Sequence, residues 1–211
     1  MSSPRLLLLA RIVKKPVLPA TGIKPTYVIV GLGNPGRHEH TRHNVGFEVI
    51  DRLAATWRIA VKSRRALCRI GVGEVEGHAV LLAKPQTFMN ESGRALQSLR
   101  SIWDVPLTDY LVVCDDIHLP LGRLRLRRTG SHGGQNGLRS IIHSLGTPDF
   151  PRLRLGISDG EVSPDRWVEF VLSPFNSEEE ALIDSAVGRA ADTIALLVRD
   201  GVEAAMNLCN G

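Results

Sequence analysis

Cysteine is scarce in this chain. Cys68, Cys114 and Cys209 are an odd number without CxxC spacing, so neither a disulfide framework nor a zinc-finger site is indicated, and a reducing compartment is expected. Long apolar runs are also missing. The longest candidate, Leu6 to Ala10, falls far short of the roughly 18 residues a membrane helix needs. No Ser or Cys stands in a nucleophile-elbow context, so a covalent acyl intermediate is not favoured. No internal repeat is visible. Residues 1–24 lack acidic side chains altogether while carrying Arg5, Arg11, Lys14, Lys15 and Lys24. Such a basic, Leu-, Ser- and Pro-rich extension fits an organellar presequence or a disordered basic tail, and it stands outside the fold.

What remains is ordinary globular material of 211 residues, 43% hydrophobic and 23% charged, enough for one domain over 25–211. Charge is unevenly spread. Residues 25–158 hold 18 basic and 11 acidic residues, net +7, whereas 159–211 hold 3 basic and 11 acidic, net −8. A polyanionic partner is therefore expected on the middle of the chain.

Hydrophobic patterning alternates strand and helix. Tyr27–Val30 reads as a strand, and Val45, Val49, Leu53 and Ala54 recur at helical spacing through about Trp57. Ala66–Val75 and Ala79–Ala83 read as a hairpin about Gly77. Asn90 is expected to cap a helix carrying Leu96, Leu99 and Trp103, ended by Pro106. Leu111–Cys114 reads as a strand buried on both faces, with Asp115 and Asp116 at its end. The alternation Arg123 to Arg128, a Gly-rich turn over 130–137, a helix with Ile141, Ile142 and Leu145, and a strand Arg152–Ile157 follow. Ser158–Arg166 is loop by composition. Ser177 and Glu180 suggest a capping box before a last long helix. The order predicts a single three-layer α/β/α domain with a mixed, mostly parallel central sheet.

The stretch Val30-Gly31-Leu32-Gly33-Asn34-Pro35-Gly36, continuing to Thr41-Arg42-His43-Asn44, organises the rest. Gly31-x-Gly33-x-x-Gly36 matches the dinucleotide fingerprint, but that motif needs a helix opening at the glycines, whereas here it is delayed to about Val45. His38-x-His40-x-x-His43 has metal-ligand spacing, yet Arg42 occupies the place where a carboxylate would help bind a second metal. No metal and no cofactor is expected. His43, Asp115 and the amides Asn34, Asn90 and Asn136 fall at one edge of the predicted sheet. That set suits water-mediated attack on an ester: His43 as base, Asp115 orienting it, neutral amides meeting the oxyanion. Arg123, Arg125 and Arg127 share a strand face, a line of guanidinium groups suited to RNA phosphates.

These motifs, with Lys84-Pro-Gln-Thr-Phe-Met-Asn-Glu-Ser-Gly93, Val113-Cys-Asp-Asp-Ile-His-Leu-Pro-Leu-Gly122 and Ser131-His-Gly-Gly-Gln-Asn-Gly-Leu138, resemble the bacterial-type peptidyl-tRNA hydrolase family over about 25–208. The resemblance implies metal-independent hydrolysis of the ester joining a peptide to the 3′ ribose of tRNA. It implies His43 as base, Asp115 as its support, Asn34 as the group that senses a blocked amine, and Phe88, Asn90 and Asn136 as substrate-binding residues. It further implies a monomer that binds tRNA and no membrane, in cytoplasm or an organellar matrix. Two departures stand out. The segment Arg37–His40 is one residue shorter than the family pattern and lacks its Tyr, and the loop Ser158–Arg166 is acidic. A catalytically idle RNA-binding relative, such as an organellar intron-splicing factor, is the alternative from another class.

Overall fold

The computed structural model describes residues 24–36, 40–160 and 162–210. The first 23 residues of the basic extension and residues 37–39, which include His38, lie outside the described residues. Strand β1 (Tyr27–Gly31) leads through a 3-10 turn, Arg42–Asn44, into α1 (Val45–Trp57). Next come β2 (Ser63–Arg65), β3 (Cys68–Val75) and β4 (His78–Pro85), then α2 (Ser92–Ile102) and β5 (Tyr110–Pro120). The chain continues with β6 (Leu124–Arg127), α3 (Asn136–Leu145), β7 (Arg152–Ser158), α4 (Trp167–Val171), α5 (Ser177–Asp200) and α6 (Val202–Asn210).

The seven strands form one sheet in the order β2-β3-β4-β1-β5-β7-β6. The central four run parallel, and antiparallel strands flank them on both sides. Parallel strands covered on both faces must be apolar throughout, and Val28, Ile29 and Val30 are fully buried. Their side chains divide by alternation. Ile29 joins Val113, Leu153 and Leu155 under α1, α5 and α6, while Val28 and Val30 join Val112 and Cys114 under α2 and α3. Those two cores make the three layers.

Glycine lets α1 sit directly on the sheet. A Cβ on Gly31 would collide with the Gly46 carbonyl oxygen, and one on Gly46 would stand 2.6 Å from the Val113 carbonyl oxygen. Backbone contact between strand and helix is thus what Gly31 supplies. The helix begins nine residues after Gly36, so the glycines do not form the strand-to-helix turn of a dinucleotide site.

Three local expectations are corrected. Asn90 does not cap α2: Met89–Glu91 form a 3-10 turn and Glu91 is the N-cap. The α5 capping box starts one residue earlier than expected, with Asn176 Oδ1 accepting from the Glu178 and Glu179 amides and Glu179 closing the box. Asp115 and Asp116 do not end their strand. Pairing of β5 with β1 stops at Val113, but pairing with β7 carries β5 on to Pro120 with a register shift after Asp116. The two acids therefore stand where the sheet has lost one neighbour. They also lie at the carboxyl ends of the parallel strands, where β1 leaves for α1, the usual ligand position in open α/β sheets.

Candidate active site

The turn Arg42–Asn44 is buried, and each of its residues is held by a different element. Arg42 donates Nη1 to the Ile157 carbonyl at 2.9 Å and grips the Glu179 carboxylate of α5 through Nη1 and Nη2. Its guanidinium lies 4.4 Å from the Phe170 ring centroid and 4.6 Å from that of Phe175. Burial of the cation is compensated by these partners. Asn44 clasps the β1 exit, its Oδ1 accepting from Asn34 N at 2.8 Å and its Nδ2 donating to Asn34 O at 2.9 Å. Between these anchors, His43 projects toward β5.

His43 Nδ1 lies 2.9 Å from Asp115 Oδ1, within hydrogen-bond reach. Burial disfavours the imidazolium, but the adjacent Asp115 carboxylate prevails, leaving the pKa above 6.5. Gln135 Nε2 donates to that same Oδ1 at 2.9 Å, while its Oε1 accepts from Leu138 N and so caps α3. A carbonyl oxygen fixed on the helix end leaves the amide nitrogen facing the carboxylate. The Gln135 nitrogen also approaches Met89 Sδ at 3.3 Å, and the Met89 amide donates to Asn34 Oδ1 at 2.8 Å. One polar chain thus joins Asn34, Met89, Gln135, Asp115 and His43.

The cleft in front of this pair encloses about 270 Å³. His43, Asp115, Gln135 and Asn136 line one side, and Pro164, Trp167 and Val168 line the other. Asn34 is buried behind it, linked through Met89. Phe88 and Asn90 flank Met89 and are exposed, Phe88 to 61%. Among the described residues, no group of three His, Cys, Asp or Glu side chains is placed to hold a metal.

Asp116 serves the opposite side of β5. Its Oδ2 accepts from Arg154 Nη1 at 2.9 Å, and Arg154 Nη2 donates to the Ser131 carbonyl at 2.7 Å. Arg125 pairs across the sheet with Arg154, and Arg127 with Arg152, so four guanidinium groups share one face. They border a depression of about 400 Å³ together with His118, Ser131 and Gly133. Arg152 is fully buried against Phe150 and donates to the carbonyls of Phe150, Gly130 and Pro148. Burial, and then Arg154, pull its pKa down to about 10, so it stays charged at neutral pH. Arg123 precedes β6 and borders a separate depression against Arg189, Thr193 and Cys209. The expected row of three is thereby split.

Sequence reasoning missed Gln135, Arg152, Arg154 and the anchoring role of Arg42. Gln135 sits one residue before the singled-out Asn136, and an acceptor at an N-cap position was the available signal. Arg152 and Arg154 alternate with apolar residues as Arg125 and Arg127 do. That shared pattern marks paired strands with one charged face.

The family described as Peptidyl-tRNA hydrolase matches residues 28–211. The peptidyl-tRNA hydrolase of Chlorobaculum parvum is 44% identical over 184 residues, covering 87% of this chain and 97% of that protein. That of Caldanaerobacter subterraneus subsp. tengcongensis is 46% identical over 186 residues, covering 88% and 100%. The crystal structure of peptidyl-tRNA hydrolase from Acinetobacter baumannii superposes with a TM-score of 0.83 at 37% identity, covering 88% of this chain and 94% of that one. With matches of this extent, the chain belongs to the peptidyl-tRNA hydrolase family.

Proposed function

We propose that this protein hydrolyses the ester between the peptide and the 3′ ribose of peptidyl-tRNA, recycling tRNA from prematurely released products. The observation that carries the reading is the buried His43–Asp115 pair, 2.9 Å apart at the floor of a cleft. His43 Nδ1 faces Asp115, which leaves Nε2 to take a proton from water as that water attacks the ester carbonyl. Asp115 stabilises the imidazolium that forms. Asn136, with Asn90 on the neighbouring turn, supplies neutral donors for the oxyanion. The imidazolium then returns its proton to the departing 3′ oxygen, so the base is restored without a covalent intermediate. Asn34, fixed by Asn44 and Met89, is read as the group that senses the blocked amine, and Phe88 as an apolar contact for the substrate.

Arg125 and Arg127 act as phosphate contacts that position the RNA. Arg123 belongs to a different depression and is given no such role. The protein acts as a monomer where translation occurs, in cytoplasm or an organellar matrix. No helix among the described residues is long and apolar enough to cross a membrane.

The test is release of an N-acetylated aminoacyl group from tRNA in the presence of EDTA, with His43→Ala alongside. Release that disappears in the variant, while tRNA binding persists, supports the reading. No release by the wild-type protein, with tRNA still bound, would favour the idle RNA-binding relative.

A further inference from the structure

Two depressions meet at the turn Gly133–Gly134, and a third adjoins both through other residues. The catalytic cleft and the arginine-lined depression share Asp116 and Gly133. A third cavity, of about 720 Å³, lies between the end of β5 and the residues on either side of position 161. It shares Ile117, Pro164 and Trp167 with the catalytic cleft, and His118 with the arginine-lined depression. Trp167 thus stands between the third cavity and the catalytic cleft, and His118 between the third cavity and the arginine-lined depression. Their rings meet edge to face, centroids 5.2 Å apart at 80°. Trp167 Nε1 donates to the Val162 carbonyl at 2.8 Å, which fixes the indole. At Gly134, where φ is +83°, a Cβ would stand 3.6 Å from Trp167 Cζ3 and 3.8 Å from His118 Nε2. The rings thus pack over a turn that carries no side chain.

We propose that Trp167, backed by His118, is a stacking platform for an unpaired nucleobase at the 3′ end of the tRNA. This deepens the functional reading above and rests on it. A single strand whose phosphates lie on Arg125 and Arg127 must cross the Gly133–Gly134 turn to bring its ester to His43. Unpaired bases at RNA ends are held by stacking on aromatic side chains, a contact open to any base because each has a π-face. The third cavity suits a base rather than a phosphate. Among the described residues its ionisable lining is His118 and Asp159, and a carboxylate repels a phosphate.

The test uses the full-length protein and the trinucleotide CCA, which has the unpaired tRNA end but no ester to cleave. Binding is measured calorimetrically and by tryptophan fluorescence for wild type, Trp167→Phe and Trp167→Leu. Wild-type fluorescence should be quenched on binding. Trp167→Phe, which keeps a π-face but loses the Val162 hydrogen bond, should bind nearly as well without that quenching. Trp167→Leu should lose about tenfold in affinity, with an unchanged salt slope because no ionic contact is removed. Equal losses in both variants would mean that Trp167 only anchors its own segment, and would overturn the platform. So would wild-type affinity in Trp167→Leu. Hydrolysis of N-acetyl-aminoacyl-tRNA is assayed on the same preparations. A wild type that binds CCA but releases nothing defeats the hydrolase reading alone, whereas an active hydrolase with normal Trp167→Leu binding defeats the platform alone.

Discussion

Gln135 donates its side-chain nitrogen to Asp115 Oδ1, the same oxygen that lies 2.9 Å from His43 Nδ1. The carboxylate is thus shared between a neutral amide and the His43 imidazole. Removing the amide in Gln135→Leu should leave Asp115 more fully available to the imidazolium. The acidic limb of the pH–rate profile should then move to higher pH. The loss of a hydrogen bond to a charged group should cost about 1.5–3 kcal/mol of stability. The α3 cap is lost as well, at about 1 kcal/mol of stability, read from urea unfolding. A limb that stays in place would remove Gln135 from the catalytic arrangement.

The pH dependence follows from His43 itself. Its pKa is raised above 6.5 by Asp115 against the opposing effect of burial, and only the neutral form can accept a proton. Rate should therefore climb with pH through a midpoint above 6.5, falling about tenfold per pH unit below it. Asp115→Asn removes the raising charge but keeps the burial, so its midpoint should shift downward while kcat falls. Stability has the opposite sign. The contribution of the His43–Asp115 pair is fully present below the unfolded-state value and is lost as pH rises through the raised folded value. Urea midpoints across that window, compared with His43→Ala, measure it.

Arg42 ties the Arg42–Asn44 turn to α5, and Arg42→Met should destabilise the fold by about 3 kcal/mol because it strands Glu179 and unpins the turn. The Glu179 carboxyl is held below its ordinary value, chiefly by hydrogen bonding from Arg42. Its contribution is present above the ordinary glutamate value and is lost as pH falls through the depressed one. Thermal unfolding of wild type and Glu179→Gln should converge in acid. Persistent divergence there would assign the stabilisation elsewhere.

The split among the arginines gives a comparison. Arg125→Gln and Arg127→Gln should each weaken tRNA binding and reduce the salt slope by about one. Arg123→Gln, in its separate depression, should leave that slope unchanged. Equal effects of all three would restore the single row expected from the alternating sequence.

Much of this arrangement was legible in the chain. The buried strand Leu111–Cys114, the helix at Val45 and the hairpin about Gly77 each followed from periodicity, because parallel strands and amphipathic helices impose distinct apolar patterns. His43 and Asp115 were legible as polar residues that follow apolar runs. Gln135 was not, since its role depends on where α3 starts relative to β5. Arg152 and Arg154 read as an ordinary strand because cross-strand register is not written locally. The caps at Glu91 and Asn176 missed by one residue for a similar reason: neighbouring polar residues compete for the same position, and tertiary contacts choose among them.

Asp115 and Asp116 show what a two-residue repeat can enforce. Successive side chains of a strand point to opposite sides, so one dipeptide supplies both the acid beside His43 and the acid beside Arg154. Sliding β5 by a single residue would exchange the two assignments and disable both at once. The His43 cleft and the arginine-lined face are therefore geared to the same strand. Either can be adjusted by substitution, but neither can be repositioned without carrying the other with it.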